Sequence, residues 1–137
     1  MPKIGHIVLS EGTLKSVEEN KTVLLEPFCN IDVPQFPHTV SFTASIGLFN
    51  LEPNIVYNFA YSIYSPTGEK IEGNFFDIQT KANSNDTSIF LSININISDI
   101  TFEMEGVHQL RFQIGNLHEE KSTFFYVKQK SKGDTND

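Results

Sequence analysis

Thiol catalysis needs a cysteine, a base and an orienting group brought together, and in this 137-residue sequence Cys29 has Asp32 and His38 near it in the chain. The run Phe28-Cys29-Asn30-Ile31 reads as strand, however, and carries no thiol-enzyme signature. A single cysteine in such a run is expected to be a small buried hydrophobe, and it has no partner for an internal disulfide. The four histidines, His6, His38, His108 and His118, show no H-x-H, H-E-x-x-H or C-x-x-C spacing, so a zinc site would have to be assembled wholly from distant positions.

Carboxylates come in pairs at Glu18-Glu19, Glu119-Glu120 and Glu103/Glu105. Glycoside hydrolysis requires two acids across a cleft in separate environments, and a calcium loop concentrates Asp and Asn at alternate positions. Asn83-Ser84-Asn85-Asp86 comes nearest to the latter but lacks the bidentate acid, and reads as a polar hairpin loop. The eight glycines are dispersed and form no phosphate-binding loop. No catalytic, cofactor-binding or metal-ligating residue is therefore assigned, and the protein is expected not to be an enzyme.

The elements that would position these groups follow a two-residue rhythm, the mark of strands with one dry and one wet face. In Ile89 to Ser98, Ile89, Leu91, Ile93, Ile95 and Ile97 alternate with Phe90, Ser92, Asn94, Asn96 and Ser98. Val40, Phe42, Ala44 and Ile46 alternate with Ser41, Thr43 and Ser45, and His108, Leu110, Phe112 and Ile114 with Gln109, Arg111 and Gln113. Tyr57, Phe59, Tyr61 and Ile63 share one face of a strand that ends in Ser65-Pro66-Thr67-Gly68-Glu69-Lys70. There Pro66 pre-sets a type I turn and Gly68 supplies the positive φ of a following bulge, so 54–64 should fold back on 69–80 as a hairpin. Further strands are expected over Ile4 to Ser10, over Thr22 to Val33 with an interruption at Pro27, and over Ser122 to Lys130.

That makes about eight strands with turn signals every 8 to 15 residues, as in two stacked antiparallel sheets. Helix is expected at no more than one or two short turns, at the capping-box sequence Ser16-Val17-Glu18-Glu19 and at Asp99 to Met104, where the chain should cross between sheets. One domain over residues 1–130 is expected, followed by a polar, flexible tail over 131–137.

Two segments, Tyr64-Ser65-Pro66-Thr67-Gly68-Glu69-Lys70-Ile71 and Glu105-Gly106-Val107-His108-Gln109-Leu110-Arg111-Phe112, together resemble bacterial immunoglobulin-like sandwich domains. In that pattern a P-x-G hairpin joins two central strands, and an acidic-Gly-x-Tyr segment opens the penultimate strand. The resemblance extends more loosely to single-domain sandwich proteins of bacteria and phages. It implies a fold and no catalytic residues. It also implies that His108 stands where a tyrosine would close a corner by bonding to backbone a few residues upstream.

Charge and composition bound the function. Seventeen acidic residues against ten Lys and Arg leave a net charge of −7, which repels phosphate backbones and anionic lipid, so neither nucleic acid nor membrane is an expected partner. The N-terminal residues show no signal peptide and no apolar run approaches the ~20 residues of a membrane span, so a cytoplasmic protein is expected. Abundant Ile, Asn and Lys fit an AT-rich bacterial or phage genome. Phe75-Phe76 and Phe124-Phe125-Tyr126 put aromatics on both faces of their strands. The outer ones must either be covered by the chain's own N-terminal segment or form an interface. Phe75, Phe76, Phe124, Tyr126 and Tyr64 are the candidate interface residues. The expectation is a non-catalytic module that binds another protein or itself. The alternatives are a small acidic inhibitor seated in a basic nucleic-acid channel and a small metal-dependent hydrolase.

Overall fold

The computed structural model describes residues 2–15, 22–81, 88–115 and 117–130. Among them run nine strands: β1 (Lys3–Lys15), β2 (Thr22–Phe28), β3 (Asn30–Val33), β4 (His38–Leu51), β5 (Val56–Tyr64), β6 (Lys70–Gln79), β7 (Ile89–Phe102), β8 (Gly106–Ile114) and β9 (Glu119–Gln129). They form a four-stranded sheet in the order β2-β1-β4-β7 and a five-stranded sheet in the order β3-β9-β8-β5-β6. All pairings are antiparallel except β3 with β9. The succession β9-β8-β5-β6 opposite β1-β4-β7 is the arrangement of an immunoglobulin-like sandwich, with β8 as its penultimate strand.

The alternation read from the sequence is the burial pattern of β8 but not of β4, where Phe42 to Leu48 are all buried, Thr43 and Ser45 of the expected wet face included. Along β8, His108, Leu110, Phe112 and Ile114 are buried while the residues between them reach solvent. Phe59, Phe102, Phe112 and Phe125 are the largest fully buried side chains. Phe59 lies against Phe112 and Phe76 with ring centres 5.6 Å apart in each case, and Phe125 meets Phe42 and Phe102 at 5.8 and 5.9 Å. This aromatic layer lies between the sheets and fills the space that separates them.

The hairpin expected from Pro66 and Gly68 is present. The Gly68 N–H donates to the Ser65 carbonyl at 2.9 Å, Gly68 has φ +88°, and the register slips by one residue at Ile63/Tyr64. At the opposite end, Thr80 Oγ1 donates to the Glu52 carbonyl at 2.6 Å and accepts the Ile55 N–H at 3.0 Å.

Two expectations need correction. The segment from Thr22 to Val33 is two strands, broken at Cys29 rather than at Pro27. Pro27 sits within β2, an edge strand, where its missing N–H costs no ladder bond, and the chain then changes sheets so that β3 pairs with β9. Asp99 to Met104 holds no helical turn. Strand β7 continues to Phe102 through a bulge at which Asp99 takes φ +56° and donates its N–H to Ser41 Oγ at 2.9 Å. The sheet crossing expected there is made by Glu103 to Glu105. The Ser16–Glu19 capping box, the Asn83–Asp86 loop and the 131–137 tail lie outside the described residues. No helix among the described residues is long and apolar enough to cross a membrane.

Candidate interaction face and the histidine at its end

The two sheets present different outer faces. On the four-stranded sheet the centre is a polar ladder: Ser45 Oγ donates to Asn94 Oδ1 at 2.7 Å and Thr43 Oγ1 to Asn96 Oδ1 at 3.1 Å, so these groups satisfy one another across β4 and β7. On the five-stranded sheet the register sets Val107 opposite Tyr126, Gln109 between Tyr64 and Phe124, Arg111 between Ser62 and Ser122, and Gln113 between Ala60 and Glu120, with Phe75 beyond Ala60. These residues alternate with the buried ones and therefore share the outward face.

That face is aromatic and uncovered. Phe75 is 80% exposed, Phe124 58%, Val107 53% and Tyr126 39%. The N-terminal strand does not cover it, because β1 is built into the other sheet. Polar groups between the aromatics are held in place. The Arg111 guanidinium lies 5.0 Å above the Tyr64 ring centre and 3.7 Å from a Glu120 carboxylate oxygen, and Gln109 Nε2 donates to Ser122 Oγ at 2.7 Å. The Tyr126 hydroxyl donates to Glu105 Oε2 at 3.1 Å, while Glu105 Oε1 accepts the Gln129 N–H at 2.9 Å. The bond to the Glu105 carboxylate raises the Tyr126 pKa above its ordinary 10.0 by stabilising the protonated phenol.

Of the five residues expected at an interface, Phe75, Tyr64, Phe124 and Tyr126 share this face. Phe76 does not. It points inward and packs on Phe59, as the alternation with Phe75 requires. Sequence reading missed Val107 and Arg111, although the alternation of β8 that buries Leu110 and Phe112 already turns both outward.

His108 lies on the buried side of β8 at the end where the hairpin turns. Its Nδ1 is 3.0 Å from the Gly106 carbonyl, which can only accept, so Nδ1 carries the proton. The ring stacks on Phe125 with centres 5.6 Å apart and meets Phe102 edge-on at 4.9 Å. Burial among these rings lowers its pKa below the ordinary 6.5, against the opposing effect of the Gly106 bond. Its Nε2 is buried without a hydrogen-bond partner among the described residues.

The other chemistry-bearing residues do not converge. Cys29 is exposed at the junction of β2 and β3, not buried as expected, because the chain leaves one sheet for the other at that residue. Asp32 and His38 line an open groove with Asn30 and Glu11 that Cys29 does not reach. His118 is exposed in the connection between β8 and β9, and His6 is exposed on β1. Among the described residues no three of His, Cys, Asp and Glu are grouped closely enough to hold a metal ion.

Residues 7–128 match the model of a protein family described as a family of unknown function, DUF6941. No curated protein matches the sequence. Among the solved structures similar to this chain are two at 14% identity. One is an alkylpurine DNA glycosylase from Pseudomonas fluorescens bound to DNA containing an abasic site analog, with a TM-score of 0.48 over 93% of this chain. This chain spans 30% of that enzyme's length. The other is an immunoglobulin-like protein from Pseudomonas aeruginosa, with a TM-score of 0.37 over 93% of this chain and 97% of that one.

Proposed function

The chain belongs to a family of unknown function, DUF6941, and we propose that it is a non-catalytic module that binds another protein through the outer face of its five-stranded sheet. One observation supports this reading: Val107, Phe124, Tyr126 and Phe75 stand exposed on a single face whose polar residues are already ordered by Arg111–Tyr64 and Gln109–Ser122 contacts. Leaving such a face in water forgoes apolar burial that a partner would restore.

Its composition selects the kind of partner. Aromatics and arginine mark the centres of protein interfaces. Gln109, Arg111, Gln113 and Ser122 between the aromatics make this face more polar than the core of an obligate dimer, so the fitting occupant is a separately folded protein that binds and releases. Order within the face before binding lowers the conformational cost of association.

The test is capture from the native cell with the wild-type chain, a Phe124→Ser/Tyr126→Ser variant and a Phe90→Ser control on the other sheet. A protein recovered by wild type and control but lost with the double variant supports the reading. Equal recovery with all three overturns it, as does sedimentation in which the wild type is saturated by a second copy of itself through this face.

A further inference from the structure

We propose that the free edge of β7 is a self-association site, where a second copy of this chain adds its own β7 antiparallel and joins two four-stranded sheets into one. β7 stands last in the order β2-β1-β4-β7, and among the described residues no strand pairs with its outer side. A strand edge offers a row of backbone N–H and C=O groups, and the chemistry that matches such a row is another extended backbone.

The other three sheet edges carry features that block such pairing. β2 holds Glu26 and Pro27, β3 is four residues long, and β6 displays Lys70, Glu72 and Asp77. β7 lacks all of these devices over its first part. Ile89 to Ser98 contains no charged residue, proline or glycine, and Leu91 to Ile97 pair with β4 in unbroken register.

The sequence of that edge selects the occupant. Ser92-Ile93-Asn94-Ile95-Asn96-Ile97-Ser98 reads the same in both directions. Two copies set antiparallel about Ile95 therefore place like against like, Ile93 against Ile97 of the second copy and Asn94 against Asn96 of the second copy. The two-fold axis of this pair runs perpendicular to the sheet, so inner residues stay on the inner side, and the contact closes on itself at two copies. The isoleucines have burial to gain. Ile93 and Ile95 are half-buried, whereas Ile46 and Ala44, their partners across the ladder on β4, are wholly buried. A second β7 covers that exposed flank. Asn94 and Asn96, whose Oδ1 atoms accept from Ser45 and Thr43, bring uncharged amides to the outer face of the pair. So short a contact falls below the ~20–30 residues a side of a standard interface, and the dimer is weak and reversible. It uses no residue of the aromatic face, which belongs to the other sheet.

The experiment is sedimentation of the full chain from about 5 μM to about 500 μM in about 0.15 M salt, with wild type, Asn94→Asp/Asn96→Asp and Asn94→Asp/Asn96→Lys. The double aspartate keeps acceptors for Ser45 and Thr43 and sets carboxylates against each other across the axis, whereas the mixed variant sets an aspartate against a lysine. Three results together support the edge pair: a wild type that rises to twice the mass of one chain, a double aspartate that dimerises about tenfold or more weakly, and a mixed variant within about threefold of wild type. A wild type that stays monomeric throughout overturns the proposal. So does a dimer that the double aspartate leaves intact, one that the mixed variant loses as fully as the double aspartate, or growth beyond two copies. A dimer abolished by Phe124→Ser/Tyr126→Ser places the second copy on the aromatic face and overturns it as well.

Discussion

His108 and Gly106, two residues apart on β8, are joined by a 3.0 Å bond from the ring Nδ1–H to the Gly106 carbonyl, and that bond holds a neutral imidazole in the interior between Phe102 and Phe125. In the unfolded chain the same ring titrates near its ordinary 6.5. The folded value is lower, so the native protein binds fewer protons than the unfolded chain as the pH falls through 6.5. The stabilisation from keeping His108 neutral is thus complete above about pH 6.5. It declines as the pH drops toward the folded value. Urea unfolding between pH 8 and pH 5 should show wild-type stability falling over the lower part of this range. His108→Gln should flatten that dependence, and an equal slope in the variant would reject the assignment.

Phe59 and Phe75 differ by sixteen positions in the chain and by everything in environment. Phe59 is fully buried between Phe76 and Phe112, whereas Phe75 is 80% exposed. Phe59→Ala should cost about 3–5 kcal/mol of stability through lost burial and the cavity left behind. Phe75→Ala should change it by no more than about 0.5 kcal/mol. Thermal or denaturant melts of the two variants compare them directly.

Thr80 ties the end of the hairpin to the β4–β5 connection through the Glu52 carbonyl and the Ile55 N–H. Thr80→Val keeps the shape and removes both bonds, which leaves two part-buried backbone groups unmatched. The expected loss is about 1–3 kcal/mol, read from the midpoint of urea unfolding, with faster amide exchange at Ile55.

Gly68 adopts φ +88° in the turn that the 5→6 hairpin is built on, in open space where a side chain would meet nothing within 4 Å. Gly68→Ala should therefore destabilise by about 1–2 kcal/mol through backbone strain. Gly68→Asn should cost less, because asparagine tolerates this conformation better. Equal melting of the alanine variant and wild type would show that the turn relaxes.

The single-face aromatics give the functional counterpart. Phe124→Ser/Tyr126→Ser should leave the melting temperature nearly unchanged while weakening partner binding by about 2 kcal/mol or more, roughly thirtyfold. A loss of fold that matches the loss of binding would remove the distinction between face and core.

Strand identity was legible where it rests on neighbours in the chain. The Ile89–Ser98 alternation and the Pro66/Gly68 turn each specify local geometry through side-chain direction and backbone sterics. The break at Cys29 was not legible, because nothing in Phe28-Cys29-Asn30 says that the following strand pairs with β9, about a hundred residues later. Phe76 shows the same division: both Phe75 and Phe76 were expected at an interface, because two adjacent aromatics carry no mark of which one faces the core, and the fold turned Phe76 inward.

From the sequence by itself came the two-layer β architecture, the hairpin and a set of candidate interface aromatics, since period-two patterning and turn chemistry are properties of adjacent residues. Tertiary structure decided which of those aromatics stay uncovered and what His108 faces. Both depend on segments far apart in the chain, as where Lys121 Nζ donates to the Gly5 carbonyl at 2.9 Å, 116 positions away. Only the closing of one sheet over the other brings Glu69, Glu103 and His108 around a single cavity.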